Sequence, residues 1–273
     1  MTVKRKPSPR LRHRGASGAA TPTAARPPRH GLARVLSKFG VCSRTQAQAL
    51  IRAGRVRVDG RVVSDPEAPT DAPLARITLD GAAVAAAEKI YLMMNKPRGH
   101  VTTARDERGR DTVYALLEDA GLPWLAPVGR LDKASEGLLL MSNDSAWAAR
   151  LTDPESHLDK TYHVQIDALP DSDLLQCLRT GVDDAGEHLA AKAARELRRG
   201  TKNAWLEIVL DEGRNRQIRR LLTAFDINVL RLVRVAIGAL VLGGLASGKW
   251  RVLSMAEVTA LGSSRSAGAP GPA

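Results

Sequence analysis

Apolar residues along this chain fall into two successive rhythms. In the first, Leu32, Val35, Leu36 and Phe39 recur at helical spacing, and Gly40 closes that helix. Ser43 with Gln46 three positions on has the form of a capping box. It opens a second helix that carries Ala47, Leu50 and Ile51 and stops at Gly54. Arg55-Val56-Arg57-Val58 then alternates like a strand, Asp59-Gly60 turns, and Arg61-Val62-Val63 returns. Residues 64–88 are rich in Pro, Asp and Ala and read as a linker with one short strand, Ile77-Thr78-Leu79. From about residue 89 the rhythm changes. Strands are expected at Ile90–Met94, Trp124–Val128, Leu138–Met141, Tyr162–Ile166 and Ala204–Leu210. Helices are expected at Ser145–Leu151, Asp171–Leu178 and Arg214–Phe225. Strands and helices mix without a strict βαβ order. The pattern predicts an α+β chain, with a small helix-hairpin domain (30–80) before a larger domain (89–260) built on a mainly antiparallel sheet.

The ends differ from this. Residues 1–29 carry eight Lys/Arg, five Pro and no acid. Such a segment cannot bury enough apolar surface to offset its ordering entropy, so it reads as a disordered basic arm. Residues 261–273 are, after Leu261, Gly, Ser, Ala and Pro with one Arg, and read as a disordered tail.

Composition sharpens the functional class. Net charge is +12, so a polyanionic partner is expected. Aromatics are only 3%, which leaves the core to Ala, Val, Leu and Ile. Cys42 and Cys177 form no CxxC and no Cys/His ligand set, so neither a metal site nor a disulfide scaffold is indicated. No apolar run is long enough to span a membrane, and the N-terminus has no apolar signal core. A cytoplasmic protein is expected.

Three segments carry candidate chemistry. In Gly129-Arg130-Leu131-Asp132-Lys133-Ala134-Ser135-Glu136-Gly137 an acid sits on a polar loop between two strand-like runs. A carboxylate held where a loop leaves a sheet can reach a substrate while its backbone stays fixed. In Gly213-Arg214-Asn215-Arg216-Gln217-Ile218-Arg219-Arg220, four arginines crowd the start of an expected helix. Cations there oppose the helix macrodipole, so a phosphate or a buried carboxylate is expected nearby. In Lys160-Thr161-Tyr162-His163-Val164, strand alternation puts Lys160, Tyr162 and Val164 on one face and His163 on the other.

Taken in order, these segments resemble the RsuA/RluB/RluE/RluF group of RNA pseudouridine synthases, over roughly residues 30 to 258. The first segment is similar to that family's Gly-Arg-Leu-Asp-x-x-(Thr/Ser)-x-Gly-Leu-Leu motif, with Ser135 where Thr is common. The resemblance implies that Asp132 is the catalytic residue, that Tyr162 stacks on the target base, and that Arg219 pairs with Asp132 and keeps it ionised. It further implies that Arg216 and Arg220 meet RNA phosphates. Arg130, two residues before Asp132, is placed to open the RNA or bind a phosphate. Lys96, in a Lys-Pro-x-Gly turn, is an RNA-contact candidate.

Residues 31–63 are similar to the S-four domain, the small RNA-binding domain of small-subunit ribosomal protein four. That domain's Ser-Arg-Arg-Glu-Ala pattern appears here as Ser43-Arg44-Thr45-Gln46-Ala47. Arg44, Arg52, Arg55 and Arg57 are its candidate RNA contacts. The implied reaction isomerises a uridine of ribosomal RNA, with a slight lean to the large subunit, and needs no cofactor; oligomeric state is open, with a monomer as the default. A non-catalytic RNA-binding ribosome-assembly factor is the alternative, and it would have no use for Asp132, Tyr162 and Arg219 together.

Overall fold

The computed structural model describes residues 30–72, 74–104 and 106–263. The expected arm at 1–29 lies outside them, as does 264–273 of the expected tail; residues 261–263 complete the last helix. The small domain begins with β1 (His30–Gly31), α1 (Leu32–Lys38) and α2 (Arg44–Arg52). The capping box forms as expected. Ser43 Oγ accepts from Gln46 N at 3.2 Å, and Ser43 N donates to Gln46 Oε1 at 3.0 Å. Next come β2 (Val56–Val58), β3 (Arg61–Val62), β4 (Pro69–Thr70), β5 (Ile77–Leu79) and β6 (Ala82–Ala83). The last three fall in the segment expected to be a linker. It folds onto the small domain because Ile77 is buried with Leu32, Leu36 and Ile51, and β5 pairs with β2 from Val56↔Leu79 to Val58↔Ile77.

The larger domain runs β7 (Tyr91–Lys96), a 3-10 turn at Val113–Leu117, β8 (Ala126–Val128), β9 (Glu136–Ser142), α3 (Ser145–Thr152), β10 (Lys160–Ile166) and α4 (Ser172–Thr180). It continues with β11 (Val182–Asp184), β12 (Glu187–Leu189), β13 (Ala193–Arg199), β14 (Ala204–Leu210), α5 (Gln217–Thr223), β15 (Val229–Ile237), β16 (Leu240–Val241), β17 (Trp250–Val252) and α6 (Met255–Ser263). The central sheet is ordered β13-β14-β10-β15-β9-β7-β17, with β8 also on β9 and β16 on β15. All its pairings are antiparallel except β9 with β15.

Register decides what shares a face. Tyr162 lies opposite Ile208 and Arg234, Val164 opposite Leu206 and Leu232, Gly137 opposite Arg234 and Lys96, and Leu139 opposite Met94. On this face two cores form side by side. One joins Val164, Leu206 and Ile208 to Leu178 of α4 and Ile218, Leu221 and Leu222 of α5. The other joins Leu92, Met94, Leu139 and Met141 to Val113, Leu125 and Leu131. Tyr162 packs against both and so marks the seam between them. The opposite face of the β7–β9 half is covered by α3 and α6 around Trp147. The small domain docks by its backbone: Trp124 N donates to Gly40 O at 2.9 Å and Ala87 N to Phe39 O at 3.0 Å. Among the described residues no helix is long and apolar enough to cross a membrane.

Asp144 ties the α3 layer to the sheet. Its Oδ1 accepts from Ala146 N and Trp147 N at 3.1 and 3.2 Å, capping α3. Its Oδ2 accepts from Lys89 Nζ and Tyr91 Oη, both at 2.9 Å. Burial pushes this carboxyl up, but the bonds from Lys89, Trp147 and Tyr91 outweigh it and hold the pKa at about 2. A depressed carboxyl stabilises the fold above its unfolded pKa and loses that effect on acidification. Between pH 4 and pH 2 the wild type is expected to lose about 2 kcal/mol more stability than Asp144→Asn, measured by urea unfolding at each pH.

Candidate active site

Asp132 lies, half-buried, on the loop between β8 and β9, and that loop is held carbonyl by carbonyl. Leu131 O accepts from Thr102 Oγ1 at 2.8 Å. Asp132 O accepts from Ser135 N at 3.0 Å, and Lys133 O from Gly99 N at 2.8 Å. Ala134 O accepts from Arg219 Nη2 at 3.2 Å, and Ser135 O from Lys96 Nζ at 2.8 Å. Five consecutive acceptors thus meet donors from the loop itself, from the end of β7 and the turn after it, and from α5. Leu131 points into the core beside it. The loop closes at Gly137, whose φ is +100°. A Cβ there would lie 2.2 Å from Arg234 O, a backbone atom, so β9 can approach β15 this closely only through a glycine.

Lys96, expected as an RNA contact on a turn, is instead fully buried. It is the last residue of β7, its side chain turns inward, and it donates to Pro97 O at 3.0 Å as well as to Ser135 O. Burial is the largest influence on it and lowers its pKa to about 8, against the pull of Glu136 and Asp132. It is an anchor of the Asp132 loop rather than a surface charge.

The arginine-rich segment divides into two sets. The helix expected from Arg214 begins only at Gln217, because Arg216 takes the left-handed conformation (φ 50°, ψ 30°) and acts as its N-cap. Arg220, expected to meet phosphate, is held by the β11–β12 hairpin: Asp184 Oδ2 at 2.5 Å, Glu187 Oε2 at 2.6 Å and Asp184 O at 2.9 Å. Arg214 donates to His188 O at 2.7 Å and to Glu212 at 2.8 Å. Gln217, also buried, donates to Ala190 O at 3.1 Å. These three fasten the segment to the hairpin. Arg216 stays exposed, and Arg219 turns to the Asp132 loop.

The direct ion pair expected between Arg219 and Asp132 is replaced by a bond to the loop's backbone at Ala134 O. Arg219 Nη1 also reaches Val229 O at 3.4 Å, while its Nε is buried without a partner. Burial, with nearby Arg216 and Arg98, pushes Arg219 below the usual arginine range, and Asp132 pulls it back up. Asp132 is therefore close enough to act on Arg219 through its field. Arg98, Arg130 and Lys133 are exposed around the loop. Tyr162 is half-buried at the seam, and His163 turns to the other face, 3.6 Å from Glu207.

In the small domain Arg44 meets Glu67 at 3.0 Å and Arg55 meets Asp80 at 2.5 Å, yet both side chains stay about half exposed. Arg57 donates to its own hairpin turn at Gly60 O, and Arg52 is exposed. Sequence reasoning missed two residues at the site, Thr102 and Arg98. Arg98 stood in view beside Lys96. Thr102 carries no local signal, because its role depends on a chain turn that brings it to Leu131.

Comparison with known proteins agrees with this geometry. Residues 90–224 match the RNA pseudouridylate synthase family, and residues 31–69 match the S4 domain. An uncharacterised RNA pseudouridine synthase of Aquifex aeolicus is 36% identical over 230 residues, 84% of this chain and 92% of that protein. The ribosomal large subunit pseudouridine synthase B of Bacillus subtilis is 34% identical over 233 residues, 84% of this chain and 94% of that protein. A crystal structure of a pseudouridylate synthase superposes with a TM-score of 0.59 at 28% identity, covering 85% of this chain and 99% of that one. The chain belongs to the RNA pseudouridine synthases, which are isomerases.

Two outcomes test the construction of the loop. Gly137→Ala is expected to lower the urea midpoint by the equivalent of at least about 2–3 kcal/mol, through strained backbone and contact with Arg234 O. Lys96 has a folded pKa below its ordinary value of 10.5, so the unfolded chain binds more protons between these values. Stability should therefore rise as pH goes from about 8 to 10.5, by up to about 3 kcal/mol. Lys96→Met should lack that rise in the same denaturation series.

Proposed function

We propose that the protein isomerises one uridine of ribosomal RNA, in the large subunit, with Asp132 as the catalytic carboxylate. The observation that carries this reading is the half-buried Asp132 on a loop whose backbone is tied at every carbonyl from Leu131 to Ser135. A group so fixed meets its substrate with little reorganisation. Tyr162, at the seam beside it, offers a ring for an extruded base. Arg219 places positive charge next to the loop. Exposed Arg98, Arg130 and Arg216 surround it as phosphate contacts. Arg44, Arg52, Arg55 and Arg57 give the small domain a basic surface for structured RNA. Such contacts offset the cost of unstacking the target, a few kcal/mol. The large subunit is favoured by the name of the Bacillus subtilis relative. The protein would work as a monomer in the cytoplasm, where ribosomes are assembled.

Carbodiimide labelling and primer extension across ribosomal RNA from cells lacking the gene test this directly. One site should disappear, return with wild-type protein, and stay absent with Asp132→Asn. Loss of no site in any stable RNA would favour a binding role, and restoration by Asp132→Asn would move the catalytic group elsewhere.

A further inference from the structure

Arg234 is a buried charge that the fold leaves unbalanced. It is 6% exposed, in the middle of β15. Its Nε donates to Leu138 O at 2.7 Å, and its Nη2 is buried with no hydrogen-bond partner. Among the described residues no carboxylate forms an ion pair with it, whereas Arg231 on the same strand is paired bidentately with Glu136. Buried guanidinium groups are ordinarily paired, because an isolated charge in a low dielectric is costly. Packing alone does not favour an arginine here.

Its position suggests what the charge is for. Arg234 is the register partner of Tyr162 on one side and of Gly137 on the other. It therefore shares the face on which the two cores meet and on which the Asp132 loop enters the sheet. Lys160 lies on the same face and is pushed down by burial and by the field of Arg234, with Asp211, Asp159 and Glu212 opposing. A cation with no carboxylate partner among the described residues thus sits beside Tyr162, where a base would stack.

We propose that Arg234 supplies the positive field that stabilises uracil as an anion once its glycosidic bond has broken. This rests on the pseudouridine reading above. In that reaction the N1–C1′ bond breaks and its electron pair leaves on N1, spread over O2 and O4. This holds whether Asp132 attacks C1′ or removes a proton from C2′. C5 then bonds to C1′, displacing the Asp132 carboxylate on the first route or with the proton returned to C2′ on the second; C5 loses its proton and N1 gains one, so no atom is added or lost overall. A charge fixed in advance, in a dry site, acts on such an anion without reorganising. A carboxylate partner would cancel that field.

The test uses the full chain and two transcripts of the mapped target, one with uridine and one with 5-fluorouridine. Fluorine makes the departing base a more stable anion, so it needs less help. The readout is the C5–C1′-linked nucleoside, resolved by chromatography after digestion; on the fluorinated transcript C5 has no proton to lose, so that product keeps its fluorine and takes up water across N1 and C6. Arg234→Met is expected to lower kcat on the uridine transcript about 100-fold, the size of effect seen when one preorganised donor is removed. KM should stay within about threefold, as for an interaction made only in the transition state. On the fluorinated transcript the deficit should shrink to about tenfold or less, since less stabilisation is needed there. Arg234→Lys, which keeps the charge, should recover most of the rate. An unchanged kcat, an equal deficit on both transcripts, or a lysine variant no better than methionine would each overturn the inference. If the methionine variant does not fold, the lysine variant decides by whether its smaller deficit also shrinks on the fluorinated transcript. A wild type silent on every transcript would instead remove the functional reading on which the inference rests.

Discussion

The site depends on one constraint: the polar backbone of residues 131–135, led into the interior by Leu131, must find a donor for every carbonyl. Where the chain is buried, at Leu131 and Ser135, an acceptor left unpaired costs about 1–3 kcal/mol, so the pattern restrains the loop at both ends. Each donor also fixes a piece of the surroundings. Lys96 can reach Ser135 O only because it ends β7 buried, and Arg219 can reach Ala134 O only because α5 is packed on the sheet. The carboxylate inherits its position from these bonds, and no bond to the carboxylate itself is needed to hold it.

The same logic explains why a segment with four arginines does not act as one basic patch. Arg214 and Arg220, with Gln217, are used to hold the β11–β12 hairpin; its acids Asp184 and Glu187 absorb the charge of Arg220, and Glu212 that of Arg214. Arg219 remains for the Asp132 loop, and Arg216 stays exposed. Charge in the sequence and charge available to a ligand are therefore different quantities, and the acids that set the difference for Arg220 lie 33 and 36 positions upstream.

Much of the fold was legible because its cues are local. The capping box at Ser43 and Gln46, the period-two strand at Ala204–Leu210 and the break at Gly40 each depend on residues within a few positions of one another. The family motifs marked the Asp132 loop and the arginine segment for the same reason. What was not legible depends on distant partners. Lys96 looked like a solvated turn residue because its acceptor lies 39 positions away. Residues 64–88 looked like a linker because their polar composition hides one buried residue, Ile77, whose partners precede it by 26 to 45 positions. Arg234 gave no sign at all, since an arginine in an alternating strand is ordinarily on the wet side.

The bond between Arg219 and Ala134 spans 85 positions of chain. The loop with Asp132 thus emerges from the ribosome well before the helix that completes its support. Until then Ala134 O has no partner and the carboxylate has no fixed place. A growing chain would carry the small domain, whose buried residues run from Leu32 to Ile77, ahead of the completed Asp132 loop. Synthesis order completes the small domain first, and the surroundings of the Asp132 loop close only when the sheet has received β15.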